Sequence, residues 1–265
     1  MLIEDLAPGV PRDERGWYHF PRDVEERRQL FPQAVMDHPA KMQLGLTKAV
    51  IEAYTKLRDT VLDPFAGTGT TAVAAHLGRL VWLIELEQTY IDLIKQMKQM
   101  WENLPIILNP GDCRQILPTY PENAFQLVLT SPPYPHFSMK ATEGIIAERS
   151  IGAKGVEVYK GGPMNLSRIS NRFLFNRLMK QVYTEIYRVL KPGGFYVSVT
   201  KDSIRGKDRI LLSAEIIRTV QESKLIFTGD WFKWKTPVAL GNTINRSRGT
   251  LIVEDEDVIV FQKEK

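Results

Sequence analysis

Four short segments carry residue types whose spacing could do chemistry. The first is Asp63-Pro64-Phe65-Ala66-Gly67-Thr68-Gly69-Thr70-Thr71, between an apolar run and an Ala-rich one. Glycines there let the backbone approach a ligand closely, and a helix start offers free N–H groups. The segment lacks the Gly-Lys-Ser/Thr ending of a P-loop and the G-x-G-x-x-G of a dinucleotide site. A tight strand-to-helix turn would use the same glycines; the flanking Asp63-Pro64-Phe65 and Thr70-Thr71 sharpen the ligand-binding reading. The second is Glu85, closing the run Leu83-Ile84-Glu85. A carboxylate at a strand end can accept both ribose hydroxyls of a nucleoside cofactor, or can simply be solvated. The third, Gly111-Asp112-Cys113, offers an acid that could take an adenine amino group or cap a helix. The fourth is Ser131-Pro132-Pro133-Tyr134. Two prolines fix an extended turn and remove two donors, leaving the preceding carbonyls as acceptors. Such a turn can grip an exocyclic amine while Tyr134 stacks on the base; taken alone, a Pro-rich turn explains it as well.

These segments need elements to hold them. Short β-type runs at Thr60–Asp63, Leu80–Glu85, Ile106–Asn109 and Ala124–Thr130 alternate with helical spacing at Leu44–Leu57, Thr70–Leu77 and Thr89–Trp101. Phe173–Leu190 reads as an amphipathic helix ending at Lys191-Pro192-Gly193-Gly194. Strands follow at Phe195–Thr200, Ile226–Lys233 and Asp257–Gln262, with a helix at Leu211–Ser223. Alternation of this kind predicts a mostly parallel α/β sheet. Residues 1–37 read as an irregular N-terminal arm with a short helix at Asp23–Leu30, and 38–265 as one domain. Residues 135–169 lack periodicity and carry five glycines, as a binding loop or basic insertion at about 135–170 would.

Composition bounds the class. With 265 residues, 43% hydrophobic and 25% charged, the chain is neither disordered, collagenous nor coiled coil. A lone cysteine, Cys113, allows no internal disulfide, and no Cys/His cluster suggests a metal. Cys113 reads as a small buried apolar residue rather than a nucleophile. The first residues show no basic start followed by an apolar stretch, and no apolar run is long enough to span a bilayer, so the expectation is a cytoplasmic protein without membrane contact. Net charge is +4, unevenly spread: −4 over residues 1–134, +11 over 135–250 and −3 over 251–265. The basic block suits a polyanion, since neutralising phosphates releases counterions; a solvated basic surface would look the same.

Taken together, D-P-F-A-G-T-G-T-T, G-R-L-V-W-L-I-E-L-E, G-D-C and T-S-P-P-Y, in this order, resemble the S-adenosylmethionine-dependent DNA amino-methyltransferases that make N4-methylcytosine or N6-methyladenine. The resemblance covers residues 38–134 and resumes at V-Y-T-E-I-Y-R-V-L-K-P-G-G-F and D-E-D-V-I-V-F-Q-K. It implies the class I, Rossmann-like fold: a seven-stranded, mostly parallel sheet with helices on both faces and one antiparallel strand near its edge. It implies that Asp63, Phe65, Gly67, Thr68, Gly69, Thr70 and Thr71 form the S-adenosylmethionine site, with Glu85 on the ribose and Asp112 near the adenine. His38-Pro39-Ala40-Lys41 resembles the segment that closes over the methionine end, so His38, Pro39 and Lys41 join the site; it departs from the commoner His-Pro-x-x-Lys-Pro form. Many relatives carry the motifs in the opposite order.

The same resemblance implies double-stranded DNA as partner, admits a cognate restriction endonuclease, and leaves monomer and homodimer open. Catalysis then falls to Ser131, Pro132, Pro133 and Tyr134. The base is flipped out, and its amine, held by Ser131 and the Pro132 carbonyl, attacks the methyl group directly. No Pro-Cys pair is present for carbon-5 methylation. With no separate recognition domain evident, DNA contacts fall to Phe137, Lys140, Arg149, Lys154, Lys160, Arg168 and Arg172 in or beside the insertion, and to Lys233, Lys235, Arg246 and Arg248. Each such cation suits a phosphate more than a base edge. Ser before Pro-Pro-Tyr resembles the N4-cytosine enzymes, whereas Asp or Asn is commoner in adenine enzymes. Cytosine is therefore favoured, with adenine N6 and an RNA amine as alternatives.

Overall fold

The computed structural model describes residues 3–37, 41–133, 165–205, 208–237 and 251–265. Seven strands form one sheet in the order β3-β2-β1-β4-β5-β9-β8. They are β1 (Thr60–Asp63), β2 (Leu80–Glu85), β3 (Ile106–Pro110), β4 (Phe125–Thr130), β5 (Leu190–Thr200), β8 (Ile226–Lys235) and β9 (Asp255–Gln262). Strands β1 to β5 are parallel, whereas β9 runs antiparallel to both β5 and β8. The seven-stranded sheet with an antiparallel strand near its edge is therefore as expected.

Along the central strands side chains alternate and are covered on both sides, the pattern of a parallel sheet between helical layers, whereas the edge strands β3 and β8 are partly exposed. Val61, Leu127, Leu129 and Val197 pack with α2 (Leu44–Tyr54), α3 (Gln88–Met100) and the short 3-10 helix Thr70–Ala75. Leu62, Val128, Tyr196 and Ile259 face α4 (Cys113–Ile116), α5 (Arg172–Val189) and α6 (Leu212–Gln221). Among the described residues no helix is long and apolar enough to cross a membrane.

Three local departures from the sequence reading have physical causes. Thr70–Leu77, read as helical, is a shorter 3-10 helix over Thr70–Ala75; Thr70, Thr71 and Val73 are β-branched, and χ1 restriction weakens an α-helix of this length. Strand β5 begins at Leu190, because Lys191–Gly194 are accommodated as an irregularity opposite Phe125 and Leu127 rather than ending the element. A hairpin, β6 (Ser203–Arg205) and β7 (Asp208–Ile210), was not foreseen. The N-terminal arm is irregular, with α1 (Val24–Leu30) as expected, yet Leu6, Tyr18, Phe31 and Val35 are buried in the main core. Tyr18 bridges to Trp234, its N–H donating to the Lys233 carbonyl at 2.9 Å and its carbonyl accepting from Lys235 N–H at 2.9 Å. The division at residue 37 thus crosses a shared core.

Candidate active site

A cavity of about 420 Å³ opens at the C-terminal ends of the parallel strands. This volume falls in the range of small-molecule sites. Its position follows from connectivity: β1 leads one way to β2 and β3, β4 leads the other way to β5, and the crevice lies where the order reverses.

On one side lies the Gly-rich turn after β1. Gly67 and Gly69 adopt φ +53° and +82°. At Gly69 a Cβ would also approach Ile94 Cγ1 of α3 at 3.1 Å, so any side chain there is strained. The turn is anchored by Asp63, which is fully buried. Its Oδ1 accepts from Thr130 Oγ1 at 2.6 Å and Phe65 N–H at 3.1 Å, and its Oδ2 accepts from Thr71 Oγ1 at 2.6 Å. Burial pushes the Asp63 carboxyl up to about 6, against these three donors. Phe65, Gly67, Thr68 and Thr70 line the cavity; Asp63, Gly69 and Thr71 lie behind the turn and hold its shape.

Glu85 lines the cavity at the end of β2. Its Oε1 accepts from Leu86 and Glu87 N–H, each at 2.8 Å, and its Oε2 from Gly67 N–H at 2.6 Å. Burial pushes this carboxyl up to about 7, although the three amides favour its ionised form. Asp112 also lines the cavity and caps α4 by accepting from Arg114 N–H at 2.9 Å. Its two oxygens are further gripped by the Arg114 guanidinium, with Nη2 at 2.5 Å. The helix-cap role is thus present, and the acid still forms part of the wall. Cys113 is buried, and its thiol is pushed up by that burial, consistent with a packing residue.

The far side is made by Ser131, Pro132 and Pro133 at the end of β4, so this segment and the Gly-rich turn share one cavity. Lys41 lines it as well, its Nζ donating to the Met36 carbonyl at 3.2 Å. His38, Pro39, Tyr134, Phe137, Lys140, Arg149, Lys154, Lys160, Arg246 and Arg248 lie outside the described residues. Of the described cations assigned to DNA, Arg168 is exposed, Arg172 pairs with Glu215 of α6, and Lys235 joins the backbone bridge to Tyr18. Lys233 is spent internally, on Asp255 at 2.5 Å and Asp257 at 2.6 Å. Part of the +11 block therefore balances buried acids instead of facing a polyanion.

Among the polar lining residues that escaped the sequence reading are Glu87, Asn165, Lys201 and Glu256. Asn165 Nδ2 donates to Glu87 Oε1 at 2.6 Å, tying the C-terminal end of the expected insertion to the loop after β2. Glu87 lies two residues beyond Glu85 and was findable from that spacing. The other three come from distant segments and carry no local signature.

The DNA methylase family model (N6_N4_Mtase) matches residues 13–96, a span that holds Lys41, the Gly-rich turn and Glu85 and stops short of Ser131. The type II methyltransferase M.HinfI of Haemophilus influenzae is 46% identical over 76 residues, 28% of this chain and 20% of that protein. M.BglII of Bacillus subtilis, also a type II methyltransferase, is 38% identical over 61 residues, 23% of this chain and 17% of that one. The tRNA (guanine(10)-N2)-dimethyltransferase of Pyrococcus abyssi is 27% identical over 124 residues, 46% of this chain and 35% of that one. The chain thus matches well under two thirds of the length of each of these relatives. In three dimensions it superposes on TrmN from Thermus thermophilus with TM-score 0.51 and 18% identity, covering 89% of this chain and 52% of that one, a likeness of fold. Residues 13–96 are thus similar to the DNA methylase family, and parts of the chain to the two type II enzymes.

Proposed function

We propose that this protein is an S-adenosylmethionine-dependent methyltransferase acting on the exocyclic amine of a DNA base, cytosine N4 in preference to adenine N6. The observation that carries the reading is the single cavity in which the Gly-rich turn and Glu85 face Ser131-Pro132-Pro133. The cofactor fits the residues present. It is a cation with ribose hydroxyls, and Asp63 and Glu85 form no ion pair among the described residues, so neither acid is already spent on a cation of the protein. When bound, it supplies a methyl group on a positively charged sulfur. Glu85 would accept the ribose hydroxyls, the turn would supply close backbone approach, and Lys41, on the same cavity wall, would meet the methionine carboxylate. Ser131 and the Pro132 carbonyl hold the amine, which keeps its nitrogen lone pair out of the ring and aimed at the methyl carbon. The amine nitrogen held by Ser131 and the Pro132 carbonyl would take up that methyl group, and the amine proton would leave to water. Positioning and electrostatics supply the rate.

The partner on this reading is double-stranded DNA in the cytoplasm, with the target base flipped. A second reading, an RNA amine, is favoured by the likeness to the tRNA dimethyltransferase over 46% of the chain. Nucleoside mass spectrometry after incubation of DNA and RNA with isotopically labelled S-adenosylmethionine separates them. Label in N4-methylcytosine from DNA is expected; label in N6-methyladenine overturns the choice of base, and label in RNA alone overturns the DNA assignment. Ser131→Ala is expected to lower turnover by at least tenfold with cofactor affinity kept.

A further inference from the structure

The two halves of the cavity differ in what they present. The nucleoside half is built on the ends of β1, β2 and β3. Beyond Ser131–Pro133 the wall continues onto the next strands of the sheet, through Lys201, which follows the end of β5, and Glu256, near the start of β9. Since β9 runs antiparallel to β5, with Thr200 opposite Asp257, the start of β9 lies at the same edge of the sheet as the end of β5. Both heads are fixed from β8 and the residue just after it. Lys201 Nζ donates to Thr236 Oγ1 at 3.0 Å, and Glu256 Oε2 accepts from Trp234 Nε1 at 3.0 Å. Burial raises the Glu256 carboxyl, and the Lys201 charge is the first influence that opposes it.

We propose that Lys201 reads the target base, its ammonium donating to the ring carbonyl oxygen O2 of a cytosine whose amine Ser131 and the Pro132 carbonyl hold. This deepens the DNA reading above and rests on it. An ammonium carries three donors and no acceptor, and the Thr236 contact uses one of them. A flipped cytosine gripped by its amine turns its remaining edge, the N3 and O2 acceptors, away from that grip. Lys201, beyond Ser131 in strand order, stands on that side. Adenine has a ring nitrogen beside its amine but a C–H where cytosine has O2, so a fixed cation there gains less from it. A site built around a donor discriminates strongly against a base lacking the acceptor, because the donor is left without a partner. Glu256, held by Trp234 on the same wall, places a carboxyl group near the ammonium and is a positioning residue.

The test uses the full chain with labelled S-adenosylmethionine and unmethylated bacterial DNA, read as the ratio of N4-methylcytosine to N6-methyladenine. S-adenosylhomocysteine binding is measured in parallel. Wild type is expected to give N4-methylcytosine. Lys201→Met is expected to lose at least tenfold in that product and to move the ratio toward adenine, with S-adenosylhomocysteine affinity within about twofold. Lys201→Arg, which keeps a charged donor, is expected to recover part of the rate and most of the ratio. A structural role alone would change the rate but not the ratio. An unchanged rate and ratio in Lys201→Met overturn the proposal, as does a wild type that makes only N6-methyladenine; both leave the DNA reading standing. A wild type that labels no DNA sinks the DNA reading itself and this proposal with it.

Discussion

Two groups of buried carboxylates, at opposite ends of one sheet edge, are handled in opposite ways. At the Gly-rich turn, Asp63 and Glu85 receive only amide and hydroxyl donors. Around β9, Asp255 and Asp257 meet Lys233, Asp255 also meets Arg209, and Asp202 holds Arg209 at 2.8 Å. The second group is closed: each acid is ion-paired inside the protein, the three sharing Lys233 and Arg209, and its effect is to tie β8, β9 and the β6–β7 hairpin together. The first is open: neither acid is spent on a cation of the protein. Leaving buried carboxylates uncompensated costs stability and raises their pKa, so a fold keeps them where something else supplies the counter-charge. That difference locates a cationic ligand more sharply than any one motif does.

The largest effect should come from breaking the closed group. Lys233→Met leaves Asp257, itself fully buried, without its cation, and Asp255 with Arg209 alone. Removing one partner of a buried pair costs roughly 3–5 kcal/mol, against about 1 kcal/mol or less for an exposed one. A fall in Tm of roughly 10 °C is expected from a loss of this size. S-adenosylhomocysteine affinity, measured calorimetrically, should stay within about twofold. A Tm within about 2 °C of wild type would show that these acids do not depend on their cations and would dissolve the contrast.

Asp63→Ala acts on the open group. It strands two buried hydroxyls and the Phe65 amide, at about 1–3 kcal/mol for each donor left wholly unsatisfied, less whatever relaxation recovers. A net loss of about 2 kcal/mol is expected. Here binding should fall too, by at least tenfold, because the turn loses the anchor that sets its shape. Cofactor affinity unchanged in a folded Asp63→Ala would remove Asp63 from the site.

The contrast also explains what could be read from the sequence. The open group is local: Asp63 to Thr71 are contiguous, and Glu85 ends the next strand, so type and spacing were enough to find them. The strands β1 and β2 were legible to the residue because each sets buried apolar residues, Val61 and Leu62 in one and Val81, Leu83 and Ile84 in the other, directly before an acid that closes the strand. The closed group is assembled from residues 202, 209, 233, 255 and 257, brought together by an antiparallel strand and a hairpin whose three-residue strands carry no period. Lys233 looked like one more cation of a basic block because its partners are 22 and more residues away. Tyr18 hid in the same way: its hydroxyl donates to Asp5 and accepts from Leu6 N–H, but its place in the core depends on pairing with β8. Lys201 and Glu256 reach the cavity only because β5 and β9 are neighbours.

Glu85→Gln sharpens the contrast with the smallest perturbation, since the amide is nearly isosteric and the affinity change is read against pH. In the ligand-free protein the Glu85 carboxyl titrates near 7, raised by burial from its ordinary value of 4.5. A folded-state value above the unfolded one favours the protonated form in the fold. Its contribution to stability is therefore full below about 4.5 and lost as pH rises through about 7. Asp63, raised to about 6, has the same sign. On these two groups alone, the ligand-free protein should melt higher at pH 6 than at pH 8. Cofactor binding should run the other way. Ribose hydroxyls donate to the ionised carboxylate, so affinity should fall about tenfold for each pH unit below 7, as expected for one linked proton. In Glu85→Gln that slope between pH 8 and 6 should vanish, with affinity at pH 8 reduced roughly tenfold. Any remaining dependence should appear only near and below pH 6, where Asp63 titrates. Isothermal titration with S-adenosylhomocysteine from pH 5.5 to 8 reads both limbs. A Gln variant that keeps the wild-type slope would assign the linked proton to another group and leave Glu85 no special part in holding the ligand.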